Sequence, residues 1–385
     1  MRIAHVSDCY LPRLGGIERQ VHDLAVRQRD AGHEAVVITS VAGDGSPPPD
    51  SLPAVRPRLR RRASPTRMAY ETSRSGVRAV LKGGFDVVHV NASSFSPLSY
   101  LTAAATSKAG VPTAVTVHSL WAAWTPLFAG ADRVIHWGNW NVAWSAVSSP
   151  AARPLRRILD PRTPVTILPN GVDPQEWQGC STAHSSGDPK RVVVATVGRL
   201  AVRKRPGPLL RMLREARTRL PEGVSLEAIV VGDGPLRRSL ERYVESSDMG
   251  SWVRMTGSAT HSELKDLYAG VDFYIAPATL ESFGIAALEA RCAGLPVVAY
   301  RSSGVSEFIV DGKDGFLCRD DSEMIERIAV LAASAPTREL MREQARSVPP
   351  PVCWPGVLLA TDALYARARA LAGARTDEPG LALLG

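Results

Sequence analysis

Short runs rich in β-branched residues alternate with longer segments of helical apolar spacing along most of this chain, the pattern of parallel α/β sheets. In the first half, residues 2–6, 34–39, 86–90, 113–117, 142–147 and 165–168 predict strands. A helix is predicted over 17–31 and is ended by Gly32-His33. A Pro/Gly/Ser-rich loop over 43–53 and an arginine-rich stretch interrupt this half. Residues 174–189 carry Gly, Ser, Thr and Pro without periodicity, a linker composition. The alternation then restarts, with strands at 191–197, 226–231, 253–256, 272–275 and 296–299 and helices at 208–219, 236–244, 263–268 and 285–293. A last helix is predicted near 354–371, after Pro349-Pro350-Pro351. The fold expected is two Rossmann-like, doubly wound α/β domains facing each other, with no internal sequence repeat. Their bounds are 1–175 and 191–350, joined by a linker at 176–190, with a C-terminal helix at 351–372 and a flexible tail at 373–385.

A length of 385 residues suits two domains, and 45% hydrophobic with 22% charged residues is the make-up of a globular chain. Charge is distributed unevenly. Residues 1–175 hold 20 basic and 12 acidic residues, a balance of +8, while residues 176–385 hold 26 of each. A field confined to one lobe favours a phosphorylated, acidic or membrane-surface partner there. The five cysteines, Cys9, Cys180, Cys292, Cys318 and Cys353, show no CxxC or zinc spacing, which reads as a reducing compartment. The first apolar run is broken by His5, Ser7 and Asp8, and no stretch reaches the about 20 apolar residues of a membrane span. A cytoplasmic protein is expected, either free or in peripheral contact with the inner face of the membrane.

Four constellations can carry chemistry. Leu14-Gly15-Gly16-Ile17-Glu18 lies between the first strand and first helix, where small residues let a ligand approach and opening amides meet an anion. Val197-Gly198-Arg199-Leu200, followed by Arg203-Lys204-Arg205, puts Arg199 at the carboxyl end of a strand, and Arg199 with Lys204 can grip two phosphates. Gly232-Asp233-Gly234-Pro235 is a further strand-to-helix turn. In the segment from Ala276 to Ala290, Glu281 and Glu289 stand eight apart around the helix opening at Ser282-Phe283-Gly284-Ile285. Amides there suit an anion or sugar hydroxyls, and the two carboxylates accept hydrogen bonds from separate parts of one ligand. The competing structural readings are plain turns at the glycines, a solvated basic face at 199–205, a dipole-complementing Glu281 and a surface Glu289.

These segments resemble family 4 retaining glycosyltransferases of the GT-B fold. The similarity covers residues 1–372 and rests on Glu281-x7-Glu289 with Phe283-Gly284, then on Cys292-Ala293-Gly294-Leu295-Pro296. It extends to Gly15-Gly16, Asp86-Val87-Val88-His89, Thr116-Val117-His118, Leu168-Pro169-Asn170-Gly171, Gly198-Arg199-Leu200 with Lys204, and Gly232-Asp233-Gly234-Pro235. Ser303-Gly304-Val305-Ser306-Glu307 resembles the family's Gly-Gly-x-Pro-Glu loop, with Ser in place of the first Gly and of Pro. The resemblance implies an acceptor-binding N-terminal domain, a nucleotide-sugar-binding C-terminal domain and an active site in the cleft between them. It also implies metal-independent retaining transfer of a hexose or N-acetylhexosamine from a nucleotide-diphosphate sugar to a hydroxyl acceptor. Arg199 and Lys204 would stabilise the leaving diphosphate, with the Gly16 amide assisting. Glu289 would hold the ribose, Glu281 and the Phe283–Ile285 backbone the sugar, and His118 would contact the sugar. Gly198, Gly232, Phe283, Gly284 and Ile285 would line the donor site. No cofactor or metal is implied, only a GDP- or UDP-linked co-substrate; no Asp-x-Asp pair occurs in the chain.

Arg56, Arg58, Arg60, Arg61, Arg62 and Arg67 fall within 12 residues, a block suited to anionic lipid or a phosphorylated acceptor, or a solvated loop. No aromatic residue lies among them, which argues against nucleic acid. Trp121/Trp124 and Trp137/Trp140/Trp144 have helical spacing and suit either core packing or, for indoles near the site, stacking on a sugar or lipid acceptor. The rival readings are a nucleotide-sugar 2-epimerase of the same fold and a catalytically silent scaffold that binds nucleotide sugar or membrane.

Overall fold

The computed structural model describes residues 1–12, 15–43, 52–56, 65–121, 136–178 and 190–376, together with Thr125, Phe128, Gly130 and Asp132. The chain divides into two compact units, Met1–Gly171 with Pro355–Gly385, and Val172–Trp354.

The first unit is built on an all-parallel sheet of β1 (Arg2–Ser7), β2 (Glu34–Thr39), β3 (Ala54–Val55), β4 (Val87–Ala92), β5 (Thr113–Val117), β6 (Ala143–Ala146) and β7 (Val165–Ile167). Its order is β3-β2-β1-β4-β5-β6-β7. Helices α1 (Gly16–Asp30), α2 (Pro65–Lys82), α3 (Pro97–Ala109) and α4 (Ser149–Ile158) connect the strands. Strands β4 and β5 are buried along their whole length, as expected of a parallel sheet covered on both faces.

The second unit repeats the plan. Strands β8 (Arg191–Val197), β9 (Ser225–Val231), β10 (Val253–Gly257), β11 (Phe273–Ala276), β12 (Val297–Tyr300) and β13 (Gly315–Cys318) form a parallel sheet of order β10-β9-β8-β11-β12-β13. It carries helices α5 (Pro206–Arg217), α6 (Arg237–Ser246), α7 (His261–Ala269), α8 (Ile285–Cys292), α9 (Asp321–Ala333) and α10 (Ala335–Ser347). One face of α5 buries Leu209, Leu210, Met212, Leu213 and Ala216, which join Val192, Val194, Leu226 and Ile275 in the core. Strand β13 and helices α9 and α10 lie beyond the last strand placed from periodicity.

The C-terminal helix α11 (Trp354–Thr376) enters the first unit through a buried polar chain. The fully buried Tyr365 hydroxyl accepts from Gln28 Nε2 at 3.1 Å and pairs with His89 Nδ1 at 2.9 Å. His89 Nε2 meets Thr116 Oγ1 at 2.7 Å, and His5 Nε2 meets Gln28 Oε1 at 2.7 Å. The Gln28 amide oxygen can only accept, so His5 Nε2 carries the proton and donates to it. Burial opposes the charged form of these rings, lowering His5 to about 4 and His89 well below the usual histidine range.

The tryptophans sort differently from their spacing. Trp137–Asn139 is a 3-10 turn and Trp144 sits on β6, so the indoles share no helix face. They pack nonetheless: Trp121 is buried at 1% exposure, against Phe128 at 4.6 Å and Trp137 at 6.0 Å between ring centres. Packing, not an exposed acceptor surface, is therefore what Trp121 does in this unit.

Candidate active site

In the second unit the chain runs outward from β8 through β9 to β10, then returns to place β11, β12 and β13 on the other side. The reversal falls between β8 and β11, and ligands of open α/β sheets bind in the crevice beyond the carboxyl ends of such a strand pair. The loops that follow these two strands are the ones that carry Arg199, Lys204 and Glu281.

Glycines at the strand ends knit the floor together. Gly198 N donates to Val231 O at 3.0 Å, Leu200 N to Asp233 O at 2.8 Å, and Gly232 N to Gly257 O at 2.7 Å, tying the loops after β8, β9 and β10. Gly232 has φ 137°, and a Cβ there would lie 1.9 Å from the Gly198 carbonyl oxygen. Its missing side chain thus makes room for the neighbouring loop, in keeping with the reading of 232–235 as a structural turn. Gly198 differs: a Cβ there would meet nothing within 4 Å, so open space lies beyond β8. On the β11 side, Gly284 (φ 93°) caps α8, and Gly304 N donates to Glu281 O at 2.8 Å, drawing the loop 303–307 onto the loop 281–284.

Lys204 Nζ donates to Glu281 Oε2, joining side chains 77 residues apart, with the lysine 32% and the glutamate 14% exposed. Arg199 projects into solvent from the loop directly after β8. Phe283 is buried against Phe308 at 5.4 Å and anchors the turn, while Gly284 and Ile285 present backbone at the opening of α8. Glu289, half-buried one turn into α8, lies close enough to Tyr268 and Tyr274 that its charge helps raise both phenols, after the dominant effect of burial. Two cations, two carboxylates and a helix opening therefore share one end of this unit. Such a set can hold an anion between Arg199 and Lys204 while Glu281 and Glu289 accept from hydroxyls. Among the described residues no group of three His, Cys, Asp or Glu side chains is gathered as a metal site.

One part of the arrangement was not legible in the run Arg203-Lys204-Arg205. Arg205 is bound bidentately by Asp321 at 2.7 and 3.0 Å and also donates to the Tyr300 hydroxyl at 2.7 Å. Asp321 stands 116 residues away, and no local signal announces the pairing.

In the first unit, Gly16 opens α1, and the Glu18 carboxylate folds back against Gly15. His118 is 8% exposed, its Nε2 pairs with Asn91 Oδ1 at 3.0 Å, and burial lowers it to about 4, so it is neutral at neutral pH. Arg58, Arg60, Arg61, Arg62 and Trp124 lie outside the described residues.

Residues 14–176 match the family described as Glycosyltransferase Family 4, and residues 183–348 match Glycosyl transferases group 1. Curated relatives include a sulfoquinovosyl transferase of Arabidopsis thaliana, 33% identical over 42% of this chain and 31% of that protein. A phosphatidylinositol N-acetylglucosaminyltransferase component of the same plant is 26% identical over 96% of this chain and 82% of its own length. The alpha-monoglucosyldiacylglycerol synthase of Acholeplasma laidlawii is 24% identical over 85% of this chain and 87% of its own. Among solved structures, the sucrose-phosphate synthase of Thermosynechococcus elongatus superposes with a TM-score of 0.73 at 20% identity, covering 96% of this chain and 99% of that one. Anabaena HepE, in complex with UDP and glucose, gives 0.67 at 16% identity over 98% and 99%. The chain belongs to family 4 of the glycosyltransferases. Its two parallel-sheet units are of the GT-B type.

Proposed function

We propose that the chain is a retaining, metal-independent transferase that moves a hexose or N-acetylhexosamine from a GDP- or UDP-linked donor to a hydroxyl acceptor. The observation that carries this reading is the Lys204–Glu281 pair, which joins the loops after β8 and β11 at the strand-order reversal, with Arg199 on the first loop and the opening of α8 at the end of the second.

Arg199 and Lys204 take the donor diphosphate, and Glu289 accepts from the ribose hydroxyls. Glu281 and the Phe283–Ile285 backbone hold the sugar. As the bond from the anomeric carbon to the phosphate oxygen breaks, negative charge builds on that oxygen, and fixed cations stabilise it more than they stabilise the intact donor. The acceptor hydroxyl attacks the anomeric carbon from the face the diphosphate leaves, and its proton passes to the departing phosphate oxygen. No side chain serves as nucleophile. His118 takes part as a neutral imidazole, a hydrogen-bonding group and not a charge.

The second unit is thus the donor domain and the first the acceptor domain. The names of two relatives, a phosphatidylinositol N-acetylglucosaminyltransferase component and an alpha-monoglucosyldiacylglycerol synthase, support a lipid or other hydroxylated small molecule as acceptor. The +8 balance of residues 1–175 supports peripheral contact with an anionic membrane from the cytoplasmic side. No helix among the described residues is long and apolar enough to cross a membrane.

Thermal-shift screening with UDP, GDP and ADP identifies the nucleotide, and NMR of the product reads the anomeric configuration. Arg199→Ala or Lys204→Ala is expected to cut turnover about 10²–10³-fold with the fold intact. Chelator is expected to leave turnover unchanged. Wild-type turnover in both variants, or an inverted product, would overturn the assignment. Isomerisation of the donor sugar without acceptor would point to the epimerase instead.

A further inference from the structure

The turn that carries Lys204 protrudes. Residues Val202–Lys204 form a single 3-10 turn in which Val202 is 78% exposed and Arg203 is also exposed. Two local backbone bonds close it, Lys204 N to Ala201 O at 2.9 Å and Arg205 N to Val202 O at 3.0 Å. Such a turn has little to hold it in one place. At its end stands Arg205 with φ 55° and ψ 40°, one of three non-glycine residues at positive φ among those described. A β-carbon crowds the backbone in this left-handed region, so a non-glycine residue stays there only where its surroundings over-determine it.

The surroundings do so here. The Arg205 guanidinium donates through Nη2 to both Asp321 oxygens at 2.7 and 3.0 Å. Through Nη1 it donates to Asp321 Oδ1 at 3.0 Å, to the Tyr300 hydroxyl at 2.7 Å and to the Pro277 carbonyl at 3.4 Å. Tyr300 in turn donates to Asp321 Oδ1. Asp321 opens α9, Tyr300 ends β12 and Pro277 follows β11, so one side chain pins the turn to three other elements. Pro277 belongs to the same loop as Glu281, the partner of Lys204.

We infer that Arg205 is a positioning residue: its bracket to Asp321, Tyr300 and Pro277 holds the 202–205 turn in its left-handed ending and so aims the Lys204 ammonium at the site. The inference rests on the reading of Lys204 as a diphosphate ligand. Arg205 itself is spent on Asp321 and takes no phosphate. An arginine supplies the planar fork that a bidentate carboxylate needs, which a lysine would not.

The test is a double-mutant cycle on the full chain, with UDP and GDP as calorimetric ligands and thermal melting as the check on folding. Glycine adopts the left-handed conformation freely, so Arg205→Gly relieves the backbone while removing the bracket. Lys204→Ala is expected to weaken binding of the nucleotide. Arg205→Gly is expected to weaken it about tenfold or more, yet to add little in the Lys204→Ala background, because the two act through one group. Asp321→Asn and Tyr300→Phe each remove part of the bracket and are expected to fall between wild type and Arg205→Gly; they decide the matter if Arg205→Gly does not fold. Binding within twofold of wild type in the folded bracket variants, or the same loss with and without Lys204, overturns the inference. Undiminished binding in Lys204→Ala, or none of either nucleotide by the wild type, sinks the reading of Lys204 beneath it.

Discussion

Replacing Glu281 by glutamine is expected to move nucleotide binding and turnover in opposite directions. In the structure the Lys204 ammonium is bonded to the Glu281 carboxylate, a pair 32% and 14% exposed. A diphosphate that takes Lys204 must displace this carboxylate and then lie near its negative charge. A hydrogen bond to a charged partner contributes about 1.5–3 kcal/mol and a neutral one about 0.5–1.5 kcal/mol. Glutamine keeps the oxygen but not the charge, so the displacement becomes easier by about 1.4 kcal/mol, about tenfold in affinity. Turnover moves the other way. The sugar loses a charged acceptor, and turnover falls by about ten- to a hundredfold. Calorimetric titration with UDP and GDP reads the first effect, and initial rates with the donor that turns over read the second. Equal or weaker nucleotide binding in Glu281→Gln would refute the idea that Glu281 competes for Lys204, and wild-type turnover would remove Glu281 from the sugar site.

Gly232→Ala forces a Cβ to within 1.9 Å of the Gly198 carbonyl oxygen, and both loops must part. Its urea midpoint is expected to drop by the equivalent of about 2 kcal/mol or more, and an unchanged midpoint would show that the loops yield freely. Tyr365→Phe strips partners from Gln28 and His89 in a dry site and is expected to cost about 2 kcal/mol in denaturant unfolding; undiminished stability would remove the hydroxyl from the docking of α11. Acid should weaken the first unit as well. His5 and His118 are held near 4 and His89 is also depressed, so between pH of about 6.5 and 4 the unfolded chain binds protons that the fold refuses. Stability is fully present above this window and falls as pH drops through it, by up to about 1.4 kcal/mol per pH unit for each histidine, whereas a flat profile would contradict the burial of neutral rings.

Periodicity placed most strands because a parallel strand buried on both faces is a continuous β-branched run, as at 113–117 and 191–197, where the observed strands coincide with the runs. At Trp137, Trp140 and Trp144 the spacing spoke for core packing, and the run 142–147 already put Trp144 on a strand. Their spacing is helical, yet a 3-10 turn and a strand carry Trp137 and Trp144, since apolar residues satisfy a core whichever backbone brings them there. The two-residue β3 is too short to produce a pattern.

Chemistry divided along the same line. Glu281 and Glu289 were visible as a pair because a helix opening sets their separation locally, and Arg199 was visible because it follows a strand. Gly232 was also singled out, but its purpose came only with the neighbour that fills the space a side chain would take. What stayed hidden was every choice of partner at long range. Lys204 reaches Glu281 across 77 residues and Arg205 reaches Asp321 across 116. Identity and order of residues determined which segments became strands and helices and which carried charge to a strand end, because those preferences act within a turn or two of chain. Strand order decided which loops met, and it is set by how the whole sheet packs. The carboxylate facing each cation was therefore a matter for the tertiary fold.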